Sequence, residues 1–264
     1  MIHHIGIAGC TGRMGAMLVE AVTHESRAKL TALSTRTIDA QHPYAQLLTT
    51  DALTLVRSSD VVIDFTNPEY SMELAALCAQ HHKAYVCGTT GFSEAQEQSM
   101  RSLSSTVRMV KAANFSIGVT MLQLLSRQVA AVLGEDFDCE ITELHHRYKK
   151  DAPSGTALAL GEAVAEGREV ALADVAQRAG RDGVVGERAR GMIGFHALRG
   201  GDVIGDHTVL FAGDGERIEL THKASNRSIY ARGAVRAALW VMHQPCGIYS
   251  MHDVLGRGEM NAGA

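Results

Sequence analysis

IHHIGIAGCTGRMGAMLVEAV runs from Ile2 to Val22, and its two halves differ in kind. Ile2 to Ala8 is a short apolar strand candidate. Gly9-Cys10-Thr11-Gly12-Arg13-Met14-Gly15 is a glycine turn. Beyond the turn, Met14, Met17, Leu18, Ala21 and Val22 recur at helical spacing. Strand, glycine turn and helix in that order are the context of a dinucleotide-binding motif. The glycines let the backbone approach a pyrophosphate, and the helix N-terminus faces its charge. The spacing is GxxGxxG rather than GxGxxG, so the motif is a variant. A plain tight turn is the alternative reading.

Downstream residues extend the pattern. Lys29 to Leu33 reads as a second strand and ends in Ser34-Thr35-Arg36. An acidic residue about twenty positions past the glycines ordinarily holds the adenosine ribose 2′-OH. Arg36 stands there instead. Leu47 to Val56 has room for a short helix and a strand. Asp60 to Phe65 is a buried-strand run, and Asn67-Pro68 opens a helix as N-cap and first residue. Ala84 to Cys87 is a strand that ends in Gly88-Thr89-Thr90-Gly91, small residues that let a ligand near the backbone. Ser93-x-x-Gln96 starts another helix with a capping box. Val107 to Ala112 is a further strand. This alternation predicts a parallel sheet covered by helices.

After the long apolar helix Gly118 to Leu133 the rhythm changes. Strands are expected over Asp138 to Tyr148, Met192 to Leu198, Asp202 to Phe211 and Arg217 to His222, with mostly antiparallel neighbours. A helix is expected from Ser154 to Glu166, and a last one from Ser228 to Met242 with Ala234, Ala237, Ala238 and Val241 on one face. The expected class is α/β, a Rossmann-like parallel domain plus an α+β mixed-sheet domain. The boundary falls near Ser116, with the final helix returning to the first domain.

The candidate chemistry sits in ELHHRYKKDAPSGTA, Glu143 to Ala157. His145, His146 and Lys149 fall within five residues. On a strand reaching Tyr148, His145 and His146 point to opposite faces. Ser154 is a good N-cap, leaving the Gly155 and Thr156 N–H groups to attract an anion such as a carboxylate. Proton-transfer groups and an anion cradle thus occur together. No HExxH or paired-cysteine spacing accompanies the histidines, so acid–base chemistry is expected rather than a metal.

Composition narrows the classes. A net charge of −4 gives no basic field for nucleic acid. Five scattered cysteines suit free thiols in a reducing cytosol. No signal peptide and no bilayer-spanning run are expected.

GIAGCTGRMG, DFTNPE, CGTTGF, AANFSIGV and ELHHRYKKDAPSGTA together resemble the 4-hydroxy-tetrahydrodipicolinate (dihydrodipicolinate) reductase family of lysine and diaminopimelate biosynthesis. RGGDVIGDHTVLF extends the likeness over most of the chain. The resemblance implies a discontinuous dinucleotide-binding domain, 1–116 and 226–264, around a substrate-binding and oligomerisation domain, 117–225, in a cytoplasmic homotetramer. It implies that Gly9, Cys10, Thr11, Gly12, Arg13, Met14 and Arg36 bind the dinucleotide. Gly88, Thr89 and Thr90, with Ala112, Ala113, Asn114 and Phe115, would line the nicotinamide side. His145 would be the proton donor or acceptor and Lys149 a proton donor. His146, Lys149, Gly155 and Thr156 would hold a cyclic dicarboxylate. Many similar proteins carry an acidic residue where Thr35 stands, so both NADPH and NADH are expected to serve, NADPH modestly better. A reductase of another dicarboxylate and a non-catalytic dinucleotide sensor are the alternatives; retention of His145 and Lys149 speaks against the sensor.

Overall fold

The structure, a computed structural model, describes residues 2–178 and 180–256. The chain divides into two units. One holds the residues through Ile117 and those from Ser228; the other is Gly118–Arg227.

The first unit opens with β1 (His3–Ala8), the glycine turn and α1 (Arg13–Thr23). β2 (Ala28–Ser34) follows. The stretch after it forms a short β3 (Leu48–Thr49) beside β2, then α2 (Ala52–Arg57). Asp51 caps α2 by accepting from the Thr54 N–H at 2.8 Å. β4 (Val61–Asp64), α3 (Pro68–Gln80), β5 (Ala84–Cys87), α4 (Glu94–Ser102) and β6 (Arg108–Lys111) complete the alternation. Every residue of β4 and β5 is buried, as befits parallel strands covered on both faces. Ile5, Ile7, Val61 and Ile63 face one core layer; Ala8, Val62 and Tyr85 face the other.

α5 (Ile117–Leu133) leads into the second unit. Its strands are β7 (Asp138–His145), β8 (Ala176–Gln177), β9 (Ile193–Arg199), β10 (Gly205–Gly213) and β11 (Glu216–Ala224), in the order β11-β10-β7-β9-β8. α6 (Gly155–Gly167) and α7 (Leu172–Val175) lie between β7 and β8 in sequence. The expectation of mostly antiparallel neighbours is corrected here. β10 is antiparallel to β7 and β11, but β9 is parallel to both β7 and β8. The helical connection after β7 carries the chain back to start its next strands in the same direction. Ile141, Val209, Phe211 and Phe195 pack on Leu160, Val164 and Leu122 to make this unit's core.

β7 also stops at His145, short of Tyr148. The His145 carbonyl accepts from Gly200 N–H, and the His146 N–H donates to the Val203 carbonyl at 2.7 Å. Its neighbour β9 ends at Arg199, so no ladder remains to extend. The chain turns instead, with Lys149 N–H donating to the His146 carbonyl.

The chain then returns to the first unit. α8 (Ser228–Val241) buries Ala231, Ala234, Ala237 and Ala238 in the layer that contains α1. Gly233 is required there: a Cβ would stand 1.7 Å from the Phe115 carbonyl oxygen. β12 (Gly247–Tyr249) pairs parallel to β6, and α9 (Met251–Val254) follows. The finished sheet is all parallel, ordered β12-β6-β5-β4-β1-β2-β3.

Candidate active site

In the first unit, β1 lies between β2 and β4, so the strand order reverses there. Ligands of open α/β sheets bind outside the carboxyl ends of strands at such a point. The glycine turn occupies that edge. Gly9 has φ +68°, and a Cβ on it would meet Thr66 Cγ2 at 2.8 Å. Gly15 matters for packing instead. Its Cβ would stand 2.2 Å from the Gly9 carbonyl oxygen, so its bareness lets α1 sit tight against the turn. Gly12 is the N-cap of α1, with no side-chain cap and no acidic residue in the first turn. The leading N–H groups of α1 are therefore available to an anion. Cys10 is buried; Thr11 and Arg13 are exposed, and Met14 packs against the core. Arg36 is exposed in the bend after β2. This cradle suits a dinucleotide pyrophosphate.

The neighbouring loops are tied together by Asp64, which is fully buried at the end of β4. Its Oδ1 accepts from Thr66 N–H and Oγ; its Oδ2 accepts from Ser71 Oγ and Tyr85 OH, each at 2.5 Å. Thr89 Oγ1 joins by accepting from Thr66 N–H at 2.9 Å. The loop after β4 and the Gly88-Thr89-Thr90 loop after β5 are thus held by one carboxylate. Burial, with Asp64 beside it, raises the Tyr85 phenol well above its ordinary value. An acid closing the apolar run Val61-Val62-Ile63 is the signal that sequence reasoning passed over. Ala112 N–H donates to the Cys87 carbonyl; Ala113 is exposed and Asn114 half-buried. Phe115 is buried in the core, its ring 5.3 Å from that of Phe65, so it backs the loop rather than presenting a side chain.

In the second unit, β7 alternates strictly, with Cys139, Ile141, Glu143 and His145 buried. Glu143 and His145 therefore share a face. Glu143 is 1 % exposed and is the centre of the site. Its Oε2 takes His145 Nδ1 at 2.5 Å and Arg199 Nη1 at 2.8 Å. Its Oε1 takes Arg199 Nη2 at 2.9 Å and the Ser154 N–H at 3.1 Å. Arg199 reaches it because the parallel register sets Arg199 beside His145. Removing one member of such a buried pair costs about 3–5 kcal/mol, since the other charge is left without compensation.

Ser154 caps α6 by accepting from Ala157 N–H, and its Oγ lies 3.1 Å from His207 Nε2. Beyond it Gly155 is exposed, and a Cβ there would meet nothing within 4 Å. The start of α6 is open to an anion, and Thr156 follows half-buried. Lys149 Nζ pairs with Asp151 at 2.9 Å in the turn between β7 and α6. His146 is half-buried in the same turn, and its Nδ1 is buried without a hydrogen bond.

These charges set the local titration. Burial pushes His145 below its ordinary value; Glu143 opposes this, while Lys149 and Arg199 add to it. Burial favours the neutral form of Glu143, but hydrogen bonds from Arg199 and His145 outweigh it and hold the carboxyl low. Burial also drives His207 down to about 4. The cluster sets an imidazole that can take up and release a proton beside an anion-binding helix start, which is the equipment of general acid catalysis.

The structure gathers His145, Lys149, His146, Gly155 and Thr156 in one turn-and-helix unit, as their sequence proximity requires. Sequence reasoning missed Glu143 as a partner, together with Arg199 and His207. The period of two along CEITELH placed Glu143 on the His145 face; Arg199 and His207 come from strands whose register no local pattern reveals.

Comparison with known proteins follows the same division. Residues 3–115 match the family described as "Dihydrodipicolinate reductase, N-terminus", and residues 118–255 match "Dihydrodipicolinate reductase, C-terminus". The chain is 48 % identical over 263 residues to the 4-hydroxy-tetrahydrodipicolinate reductase of Dinoroseobacter shibae, covering 96 % of this chain and 97 % of that one. It is 47 % identical over 265 residues to the protein of the same name from Halorhodospira halophila, covering 96 % and 98 %. Among solved structures, a dipicolinate-bound dihydrodipicolinate reductase from Paenisporosarcina sp. TG-14 superposes with a TM-score of 0.77 at 27 % identity, covering 95 % of this chain and 98 % of that one. The chain belongs to the dihydrodipicolinate reductase family.

Proposed function

We propose that this chain reduces 4-hydroxy-tetrahydrodipicolinate, by way of dihydrodipicolinate, to tetrahydrodipicolinate with a nicotinamide dinucleotide, in diaminopimelate and lysine biosynthesis. The observation that carries the reading is the His145–Glu143 pair set beside the open start of α6 in a chain matched along both halves by one reductase family. The Gly9–Met14 turn, Arg36, the Gly88–Thr90 loop and Ala112–Asn114 hold the cofactor, with Phe115 behind them. The bound nicotinamide supplies the hydride.

His146, Lys149 and the N–H groups of Gly155 and Thr156 hold the two carboxylates of the substrate. Dipicolinate, the dicarboxylate on the Paenisporosarcina relative, has this charge pattern. Reduction of a conjugated imine leaves a carbanion-like carbon that needs a proton. His145 Nε2 donates it, and Lys149 supports the transfer. Arg36, with no acid at Thr35, favours NADPH modestly over NADH. The outer face of the second unit's sheet assembles the protein as a homotetramer, and the five free thiols suit the cytosol.

The test is loss of NADPH absorbance when the protein meets the condensation product of aspartate semialdehyde and pyruvate. His145→Gln should lower kcat by roughly 10²-fold, the usual scale for a lost general acid. Lys149→Ala should lower kcat and raise KM for the dicarboxylate. Full turnover in the histidine variant would remove His145 from the role.

A further inference from the structure

Glu143 does more than neutralise a neighbour. Each of its oxygens accepts two hydrogen bonds, and the four donors come from three parts of the fold: His145 on β7, Arg199 on β9, and the Ser154 N–H at the start of α6. Its lone pairs are then fully used. His145 Nδ1 is committed to this carboxylate, which accepts and never donates while ionised. The neutral imidazole must therefore carry its proton on Nδ1. Nε2 makes no hydrogen bond among the described residues and faces the start of β10, where a Cβ on Gly205 would come within 2.9 Å of it.

We propose that Glu143 is the positioning residue of this site: it fixes His145 as the Nδ1–H tautomer, so that Nε2 alone exchanges the reacting proton, and with the same carboxylate it sets the place of Ser154, the cap of the anion-binding helix. Proton donor and carboxylate cradle are then registered to one another through a single side chain. The proton balance is closed. The imidazolium gives its Nε2 proton to the substrate carbon, becomes the neutral Nδ1–H form against Glu143, and is recharged at Nε2 from solvent.

The groups facing His145 fix the direction of the effects. Glu143 favours its charged form; Lys149 from the turn and Arg199 from β9 oppose it. His207 from β10, itself held neutral by burial, adds no charge near pH 7. Asp151 acts at one remove, through its ion pair with Lys149 and its carbonyl on Arg199. α6 brings only the uncharged Ser154 to the carboxylate.

The inference rests on reading His145 as the proton donor, and the two are tested separately. Nitrogen-15 spectra of the imidazoles in the full-length protein report tautomer and titration whether or not the protein turns over. Wild type should show His145 protonated on Nδ1 and bare on Nε2 above its pKa. In Glu143→Gln, which keeps the shape, His145 should titrate at lower pH and lose the pure Nδ1–H form. In Arg199→Gln it should titrate at higher pH. Opposite shifts from the two halves of one ion pair are not produced by simple loosening of the fold. With turnover present, Glu143→Gln should also lower kcat tenfold or more while the dinucleotide KM stays within twofold. A wild-type Nε2–H tautomer would overturn the proposal, even if neither variant folds. So would an unmoved His145 titration in a folded Glu143→Gln. Absence of reductase turnover alongside the expected spectra would instead overturn the functional reading and leave the positioning role standing.

Discussion

The His207 ring stands edge-on to His145, with centroids 5.1 Å apart and planes at 76°. His207 is 4 % exposed, and its Nε2 meets Ser154 Oγ. At pH 7 it is neutral in both the folded and unfolded chain. The unfolded chain takes up a proton as pH falls past about 6.5; the folded chain resists until about 4. Between those values the unfolded state binds more protons, so stability drops as pH drops, by up to about 3 kcal/mol from this group. His207→Gln should show a smaller drop in Tm between pH 7 and 4.5 than wild type. An equal drop would mean that His207 is not the sensitive group.

Gly205→Ala should injure chemistry selectively. The added Cβ would sit 2.9 Å from His145 Nε2, and the ring cannot swing away without breaking its bond to Glu143. The value of kcat should fall by roughly tenfold or more, since misplaced catalytic groups are costly. The dinucleotide dissociation constant, measured by fluorescence titration, should not change. Unaltered kcat would show that the imidazole has freedom the structure does not suggest.

Arg36→Ala should separate the two dinucleotides. A charged hydrogen bond to a 2′-phosphate is worth about 1.5–3 kcal/mol, and exposure and salt reduce that at this wet edge. We expect kcat/KM for NADPH to fall roughly tenfold and that for NADH to stay nearly constant. Comparison at two salt concentrations checks the electrostatic origin. Equal losses with both cofactors would show that Arg36 does not read the phosphate.

The outer face of the second sheet carries Leu198, 51 % exposed, beside half-buried Leu144, with half-buried Leu210 farther along β10. β11 forms an edge of the same sheet. Light scattering should give four times the chain mass of 28.3 kDa. Leu198→Lys should lower that mass at micromolar protein while the His145 titration stays in place. A wild-type mass of one chain contradicts the tetramer.

Local chemistry was legible where a few adjacent residues decide the geometry. Asn67 with Pro68, Ser93 with Gln96, and Ser154 all cap the helices the sequence assigns to them. The glycine turn and the period of two along β7 were equally plain. Strand pairing was not. Arg199 lies 56 residues from Glu143 and His207 53 from Ser154, and only the register of β9 and β10 brings them in. The end of β7 at His145 likewise depends on where β9 stops. β12 has three residues, too few for a periodic signal, and its partner β6 lies far back in the sequence.

The return of α8 and β12 to the first sheet has a consequence for synthesis. The layer beneath α1 needs Ala231, Ala234, Ala238, Met251 and Val254, all made after the inserted unit. The inserted unit's core is drawn from Leu122 through Leu220, one continuous stretch. Domains fold as units while the chain emerges from the ribosome. The unit begun before the insertion is therefore finished after it: its early strands wait with one layer open while the inserted unit completes itself. A chain ended at Arg227 and released from the ribosome would resist protease over the inserted unit and remain sensitive over the residues that precede it.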